Sequence, residues 1–555
     1  MKKHGGIKRR DFLKMTGAAI GTAALGRAGF ATAAPKLGKM VEKSKVMTTI
    51  ATFDPVRPEM ARAICEAFSR HLGWDAEPYP IEYNQNVQKV LMEHDYDIWL
   101  VRFAGGSIRI DPNVFIYKAH HSSQYKKGGY NWTGYNNPEL DRLAEEQQTT
   151  MDRDKRQELV YKAQEIIHED QPRNALVNPY MTNAYRTDRI KNLVPMMGEG
   201  IGSFWTDIGM EVVQGDGYVR TGVTVPLKHL NPVSVIDGME FMEFRMIYDR
   251  LFRISPRGVA EPWAAKSYTI VDPTTIDLTI REGMRFHDGQ EVTVEDLEFT
   301  FDYYKKWKAP FFVESLKKIK NVKITGKYSL RFELESPYAP LIPNLLGTIF
   351  ILPKHVWKDV PEKVDVEDPL KYPNEKPIGS GPFKFDYWQR GAELKVSAFK
   401  EHFHPPKCAG LIRIVYGSHD AMAAAIEKGE CDRTRYILKP SLMEDVNKVP
   451  NVVGRGYPSH GFYDLGYHTR RPPFDDPAFR KALAFVLPKE IIKDVILDGH
   501  AEAGCSVIGP ANEFWNNPAV KPFPRDVEKA RRILKEAGYG WDTKGKLHYP
   551  PGKGA

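Results

Sequence analysis

Strands and helices alternate along the first part of the chain, and this alternation restricts the fold more than any other feature. An apolar strand begins at Val46, and a helix with apolar residues at helical spacing follows over Arg57–Leu72. A second strand covers 97–101, and two more helices are predicted over 138–148 and 153–169. Repeated strand–helix–strand units predict an α/β sheet with crossover helices.

The pattern becomes more antiparallel after Tyr218, where short strands with helices between them are predicted. A chain of 555 residues is longer than the chains that fold around one hydrophobic core, so two or three domains are expected. The predicted strands in this part are 219–225, 274–281, 322–325, 329–334 and 462–468, and the predicted helices are 239–251, 293–306, 419–428, 476–485, 489–498 and 527–537.

Residues 1–33 have the composition of an export signal. A basic start precedes a middle segment rich in Gly, Ala and Thr, and small residues precede a predicted cleavage after Ala33. The run Lys-Arg-Arg-Asp-Phe-Leu-Lys at 8–14 resembles the twin-arginine signal. The alternative, a buried N-terminal helix, is disfavoured because Gly, Ala and Thr pack poorly. The sequence therefore predicts a periplasmic protein, and no cysteine near the cleavage offers a lipid anchor.

Charge and cysteine content exclude several classes of function. The signal holds seven basic residues against one aspartate, so it carries six of the eight formal positive charges of the chain. The remainder is close to neutral and gives no support for a nucleic-acid partner. Cys408 and Cys431 flank one predicted strand–helix unit, where either a disulfide or two buried thiols are compatible with the sequence. No cysteine and histidine spacing predicts a metal site, and no cofactor is expected.

A series of motifs follows one another in a specific order from 218 to 545. Together they resemble the bacterial extracellular solute-binding proteins of family 5, the peptide/nickel-type binding proteins of ABC importers. The motifs are Leu-Asn-Pro at 230–232, Tyr-Asp-Arg-Leu at 248–251, the run LTIREGMRFHDG at 278–289, Gly-Ser-Gly-Pro-Phe at 379–383, Gly-Glu-Cys-Asp at 429–432, Pro-Phe-Asp-Asp-Pro at 473–477, Arg-Lys-Ala-Leu at 480–483 and Glu-Ala-Gly-Tyr at 536–539.

The order of the segments departs from this family. The resemblance implies a further C-terminal part after 545, whereas segments similar to that part stand at the front of the chain. They include Asp-Pro at 111–112, the run NWTGYNN at 131–137 and Glu-Asp-Gln-Pro at 169–172. The chain is therefore interpreted as a circular permutation, joined through the turn-rich residues 212–217.

The resemblance implies an α/β, two-lobed periplasmic binding protein fold, type II-like, with an extra subdomain. Lobe I is expected over 180–458, including a smaller subdomain at about 265–365. Lobe II is expected from two separate stretches, 45–178 and 459–555. Hinge crossings then fall near 178–184 and 457–463, and hinge motion closes the lobes around a ligand.

The loop after the strand at 97–101 is the main candidate for ligand binding. Ligand sites favour interdomain clefts and the carboxyl ends of sheet strands. The candidate residues there are Arg102, Phe103, Gly105, Ser107 and Arg109. Glycines permit close backbone approach, and the arginines offer paired donors to a carboxylate or phosphate. In the alternative interpretation the arginines pair with structural acids such as Asp111.

The resemblance also identifies a departure within this loop. Peptide-binding members carry an Asp three residues before the Asp-Pro step, and here that position is Ile108. The family's usual contact with a peptide amine through this residue is therefore not expected, and Arg109 indicates an anionic ligand group instead.

Four further candidates lie outside this loop. Tyr130 and Trp132 offer aromatic faces to a ligand, with packing inside their own lobe as the alternative. Asn231 represents a lobe I contribution, and His460 lies at the second predicted hinge.

The sequence as a whole predicts the binding component of an ABC importer. Its ligand would be a small solute of the peptide-like class, an oligopeptide, amino-acid derivative or similar, and its partners the permease subunits. A monomer without nucleic-acid partners, and not an enzyme, is expected. The alternatives are an enzyme exported in folded form, a ligand-sensing adaptor for a membrane receptor and a metal-chelate carrier. No hydrolase, metalloprotease or nucleotide-binding motif favours the enzyme.

Overall fold

The computed structural model describes residues 37–51, 53–236, 238–363 and 368–554. The predicted export signal at 1–33 and its twin-arginine motif lie outside this part. Within the described residues, no helix combines the length and the apolar character needed to cross a membrane.

The first sheet is assembled from two distant stretches of the chain. Its six strands, in spatial order, are Ala76–Ile81, Ser44–Thr49, Ile98–Phe103, Phe462–Tyr467, Arg173–Pro179 and Ala501–Ala503. The first three are parallel, and the remaining contacts are antiparallel. Tyr463 lies opposite Arg102, and Asp464 lies opposite Ala175. Residues from the beginning and the end of the chain therefore share one hydrogen-bonded sheet.

Helices cover this sheet on both faces. Helix Arg57–Leu72 turns Met60, Ile64 and Phe68 into a core that also holds Leu483 and Leu534 from the end of the chain. The opposite face packs against helices Pro138–Thr149 and Arg153–Asp170. Asn137 and Asp152 cap these two helices by accepting from the first backbone N–H groups.

The second sheet has seven strands and belongs to the middle of the chain. In spatial order they are Phe383–Gln389, Glu393–Ala398, Gly410–Val415, Tyr218–Val223, Arg433–Thr434, Met181–Arg186 and Val452–Tyr457. A separate four-stranded antiparallel sheet packs into the same large core, with the order Ala265–Asp272, Thr275–Ile280, Ser329–Leu334 and Ile319–Gly326.

Three short two-stranded ribbons and a set of smaller helices complete the structure. The ribbons pair Phe252–Ile254 with Ala260–Pro262, Ile190–Lys191 with Glu211–Val212, and Gly540–Trp541 with Leu547–His548. The remaining α-helices are Tyr83–Val87, Phe204–Gly209, Gly238–Ile247, Val294–Lys306, Val313–Leu316, Lys354–Trp357, Val360–Lys363, His419–Lys428, Met443–Val446, Pro477–Ala484, Lys489–Ile491 and Val527–Glu536. The predicted helix 489–498 changes character, since Lys489–Ile491 continues as a π-helical turn over Ile492–Ile496. Helix Tyr83–Val87 likewise continues as a π-helical turn over Gln88–Glu93.

The chain passes between the two large sheets at two adjacent places. Strand Arg173–Pro179 of the first sheet is followed, after Tyr180, by strand Met181–Arg186 of the second. Strand Val452–Tyr457 of the second sheet leads through 458–461 into Phe462–Tyr467 of the first. The two bodies are thus connected by a pair of short segments.

The beginning and the end of the described chain lie side by side. The Gly38 N–H donates to the Tyr549 carbonyl at 2.9 Å, and the Tyr549 N–H donates to the Lys39 carbonyl at 2.9 Å. The Val41 N–H also donates to the Leu547 carbonyl, at 2.9 Å.

The four cysteines are free thiols. Cys408 and Cys431 are both buried, and the Cys431 thiol lies 3.1 Å from the Arg433 carbonyl oxygen. Of the two alternatives left by the sequence, the structure shows the buried thiols.

Candidate functional site

The loop that follows strand Ile98–Phe103 is held against the second crossing by its glycines. A β-carbon on Gly105 would lie 2.6 Å from Ser459 Oγ and 2.9 Å from the Gly461 nitrogen, which no side chain tolerates. Gly106 has φ +138°, a conformation that favours glycine. The two glycines therefore place the loop directly on the segment that links the sheets.

Ser107 connects this loop to the other body of the protein. Its N–H donates to Glu199 Oε1 at 2.9 Å, and Glu199 Oε2 accepts from Arg245 at 2.8 Å. Burial alone raises the pKa of Glu199, but Arg245 and the Ser107 N–H outweigh burial, so that the carboxyl pKa lies below its usual value. Glu199 is therefore an ionised link between the loop and the helix Gly238–Ile247.

The remainder of the loop also contacts both bodies. Ile108 is buried in the large core beside the second sheet. Asp111 forms a buried two-point ion pair with Arg156 at 2.7 and 2.8 Å, and it accepts from Asn344 at 3.3 Å. The loop thus lies between the two halves of the molecule, with the apolar side chain of Ile108 in the core.

The two arginines of the loop are not paired with structural acids in the described part of the chain. Arg109 donates to the Ala104 carbonyl at 2.9 Å, and the guanidinium of Arg102 lies 5.6 Å from the centre of the Tyr463 ring. Because Asp111 pairs with Arg156, the alternative that Arg109 pairs with Asp111 is wrong.

A second group of polar residues stands at the carboxyl end of strand Ser44–Thr49 and was missed from the sequence. Arg57 Nε donates to Asp54 Oδ2 at 2.8 Å, and the Tyr463 hydroxyl donates to the same oxygen at 3.3 Å. Beside them the exposed rings of Phe53 and Tyr83 stack with centres 4.5 Å apart. The signal available in the sequence is the Asp-x-x-Arg spacing at the end of a strand.

His460 occupies the crossing itself. Its side chain is fully buried, and Nε2 accepts from the Gly106 N–H at 3.3 Å. Burial lowers the pKa of His460 to about 4, so the ring is neutral at pH 7.

Other predicted contact residues lie elsewhere, and two of them are corrected. Trp132 is 1% exposed and packs edge-on against Trp99, with ring centres 4.9 Å apart. Asn231 is fully buried and donates to the Pro369 and Tyr372 carbonyls at 2.8 Å, so it closes a structural turn. Neither contributes to the candidate site, because close packing surrounds both side chains.

Two remaining candidates differ in their surroundings. Phe103 is 8% exposed and stacks on Phe462 at 5.3 Å, so it supports the loop from the core side. Tyr130 is 44% exposed and remains available at the surface. Among the described residues, no group of three or more His, Cys, Asp or Glu side chains is arranged to hold a metal ion.

Two α/β bodies joined by a pair of crossings, with a polar loop between them, define a two-lobed solute-binding fold. A family model described as bacterial extracellular solute-binding proteins, family 5 Middle, matches residues 259–553, more than half of the chain. This chain belongs to that family.

Several curated proteins are similar to part of the chain. The oligopeptide-binding protein AppA of Bacillus subtilis is 30% identical over 278 residues, which are 48% of this chain and 49% of AppA. The dipeptide-binding protein of Escherichia coli is 25% identical over 324 residues, 53% of this chain and 58% of that protein. The glutathione-binding protein GsiB of Shigella flexneri is 24% identical over 323 residues, which are 56% of this chain and 59% of GsiB. The chain thus spans about half the length of the curated relatives it matches.

Solved structures give a similar result. The Bacillus subtilis AppA structure, in complex with a nonapeptide, is 25% identical with a TM-score of 0.48 and covers 60% of this chain and 66% of its own. NikZ from Campylobacter jejuni, in complex with Ni(L-His), is 21% identical with a TM-score of 0.49 and covers 61% and 66%.

Proposed function

We propose that this chain is the periplasmic solute-binding component of an ABC importer and that it closes two lobes around a small solute of the peptide-like class. The observation that carries this proposal is the position of the 104–112 loop. It leaves the carboxyl end of a lobe II strand, where ligands bind in α/β folds, and it contacts lobe I through Glu199 and Asn344.

The two sheets support the division of the proposed clamp into two lobes. Lobe II combines 45–178 with 459–555, and lobe I covers 180–458, with the four-stranded sheet in its smaller subdomain at about 265–365. Tyr180 and residues 458–461 are the hinges, because a pair of short crossings permits rotation with few backbone changes. The Ala339 N–H donates to the Gln148 carbonyl at 2.7 Å across the cleft, a contact that favours the closed state.

The class of solute is supported by the names of the relatives and by the charges of the loop. The relatives bind oligopeptides, dipeptides or glutathione. In this chain Ile108 offers no counter-ion to a peptide amine, while Arg102 and Arg109 offer donors that no described carboxylate occupies. We infer that an anionic group of the solute faces this loop.

The segments are proposed to follow a permuted order. In support, the backbones of Gly38 and Tyr549 are hydrogen-bonded. The five residues 213–217 separate the ribbon residues Glu211–Val212 from strand Tyr218–Val223 of lobe I. Export by the twin-arginine pathway, docking on permease subunits and a monomeric state complete the proposal. In this proposal the protein binds and releases its solute and catalyses no reaction.

Native mass spectrometry of protein purified from its own periplasm tests this function. We expect a bound solute, released on denaturation, and a raised melting temperature with a dipeptide, glutathione or a nonapeptide. Arg109→Ala should weaken binding by about tenfold, because a charge-assisted contact of about 1.4 kcal/mol or more is lost. Arg142→Ala, at an exposed helix surface, serves as the matched control. A protein that carries no solute and responds to no peptide contradicts the proposal.

A further inference from the structure

Three arginines of lobe I line a crevice beside the 104–112 loop. Arg245, Arg250 and Arg253 are each no more than 4% exposed, and Ser107 lines the same crevice from lobe II. Their neighbours in its wall are Phe204, Trp205, Met196 and Ile254. A crevice with an apolar wall and three guanidinium groups is unusual, because arginine is rarely buried without a partner.

The partners of these arginines are incomplete. Arg245 pairs with Glu199 at 2.8 Å, and Arg253 reaches Asp249 only at 3.5 Å. Arg250 donates to two carbonyls, of Gly347 and Phe241, both at 3.3 Å. Within the described ranges no carboxylate pairs with Arg250, and the Nε atoms of all three arginines have no acceptor.

The wider cluster does not supply the missing negative charge. Asp207 pairs with Arg433 and Arg435, and Glu243 pairs with Arg413 and Arg435. In the described part of the chain, the carboxylates that pair with these six buried arginines are Glu199, Asp207, Glu243 and Asp249, and none of them pairs with Arg250. His402 also contacts Asp249, at 3.2 Å, and so competes with Arg253 for it.

The excess of positive charge is unfavourable without a counter-ion. Burial lowers the pKa of Arg250 well below its usual value, and the nearby Arg253 and Arg245 lower it further. A buried charge without a counter-ion is destabilising. Arg250 is held by two carbonyl acceptors and by the rings of Phe241 and Phe350, none of which carries a full negative charge, so an entering anion would supply the missing counter-ion. Guanidinium groups are the donors best suited to carboxylate and phosphate oxygens.

We propose that this crevice binds an oxyanion group of the solute, a carboxylate or a phosphate, through Arg250 and Arg253, with Ser107 closing over it from lobe II. The proposal rests on the proposed function, since it assigns the polar end of the same interlobe cleft. Opening at the hinges moves Ser107 away from the crevice, and closing brings the Ser107 N–H back to Glu199 of lobe I.

Thermal unfolding with simple oxyanions tests this assignment. Sodium phosphate and sodium succinate are titrated to 50 mM, with sodium chloride at matched ionic strength as the reference. We expect a rise of several degrees in the melting temperature with at least one of them, and the more effective anion identifies the group. No rise with either anion overturns the assignment.

Arg250→Met separates a binding role from a structural one. Because no described carboxylate pairs with Arg250, the variant loses a positive charge without leaving an acid unpaired. It should be at least as stable as the parent in chloride, and it should need at least tenfold more oxyanion for the same rise. Arg257→Met, whose side chain is 83% exposed beside Glu261, should keep the parental response. A variant that is less stable in chloride, or that responds like the parent, overturns the proposal.

The two proposals fail in distinguishable ways. If the parent carries no solute from the periplasm but oxyanions stabilise it through Arg250, the transport proposal fails and the anion site stands. If the parent carries a solute and oxyanions have no effect, the anion site fails and the transport proposal stands.

Discussion

The Gly106 N–H donates to Nε2 of His460 at 3.3 Å, although the two residues are 354 positions apart in the chain. Gly106 belongs to the candidate ligand loop, and His460 to one of the two crossings between the sheets. The bond requires an unprotonated Nε2, so it couples the loop to the crossing only while the imidazole is neutral. Burial keeps it neutral by lowering its pKa to about 4.

The stability of the protein should therefore decrease as the pH falls from about 6.5 to 4. An unfolded histidine takes up its proton near pH 6.5, whereas His460 in the folded state does so only near pH 4, so unfolding binds a proton in this window. Burial gives His287 and His468 the same low pKa of about 4 and His120 one of about 3. In His460→Gln the free energy of unfolding should fall by about 1 to 3 kcal/mol less between pH 7 and pH 4.5 than in the parent, as measured by urea unfolding. An unchanged pH dependence in this variant contradicts the argument.

The pair Arg173–Asp464 should be a major contribution to the stability of the first sheet. The pair joins strands Arg173–Pro179 and Phe462–Tyr467, and each of the two side chains is at most 1% exposed. Arg173→Met leaves a buried carboxylate without its partner, and we expect a loss of about 3 to 5 kcal/mol in urea unfolding. Arg142→Met, which removes an exposed pair with Glu139, should change stability by less than about 1 kcal/mol.

The double variant gives a second test of the same pair. Arg173→Met combined with Asp464→Leu should be more stable than Arg173→Met alone, because no unpaired charge remains. If Arg173→Met and Arg142→Met have equal effects, the two distant stretches do not share one folded core.

Sequence patterns predicted the helices well because capping and periodicity are local. Helix His419–Lys428 has the predicted bounds, with Ser418 as its cap and Gly429 after it in a left-handed conformation. Helix Arg153–Asp170 differs from its prediction by one residue. The pairing of distant strands was not accessible to periodicity and came from the order of the family motifs alone.

The missed elements depend on contacts between residues far apart in the chain. Strand Arg173–Pro179 is buried at every position, so it shows no alternation of polar and apolar residues. One of its polar side chains, Asn178, donates to the distant Gly461 carbonyl at 2.9 Å. Of the two interpretations of Trp132, packing within its own lobe holds, and it depends on Gly466, which lies in a strand more than 300 residues away.

A chain with its segments in the other order should fold to the same structure. The design begins at Tyr218, joins Tyr549 to Gly38 through a short Gly-Ser linker, and ends at Val212. Because Gly38 and Tyr549 are already hydrogen-bonded, the linker needs little length. We expect circular dichroism to be unchanged and stability to lie within about 1 kcal/mol of the parent. A control that places the new ends inside strand Arg173–Pro179 should not fold, and equal behaviour of both chains contradicts the proposed order.

Lys489 provides the last prediction, at alkaline pH. Its ammonium is buried in lobe II and donates to the Ala175 and Gly504 carbonyls at 2.9 and 2.7 Å, and no carboxylate among the described residues pairs with it. Burial lowers the pKa of Lys489 to about 8 from 10.5. Between these values the unfolded chain binds more protons than the folded one, so stability should rise with pH across this window.

A substitution isolates the contribution of this one lysine. Between pH 8 and pH 10 the free energy of unfolding of the parent should rise by about 2 to 3 kcal/mol more than that of Lys489→Met. Each unit by which folding lowers the lysine pKa corresponds to about 1.36 kcal/mol. Other groups that titrate in the same range cancel in the comparison of the two proteins. Lys493→Met, on the adjoining turn and partly exposed, should follow the parental curve. Urea unfolding at half-unit pH steps measures the difference. If the free energy of unfolding of Lys489→Met and of the parent changes with pH in the same way, the buried ammonium does not limit stability at neutral pH.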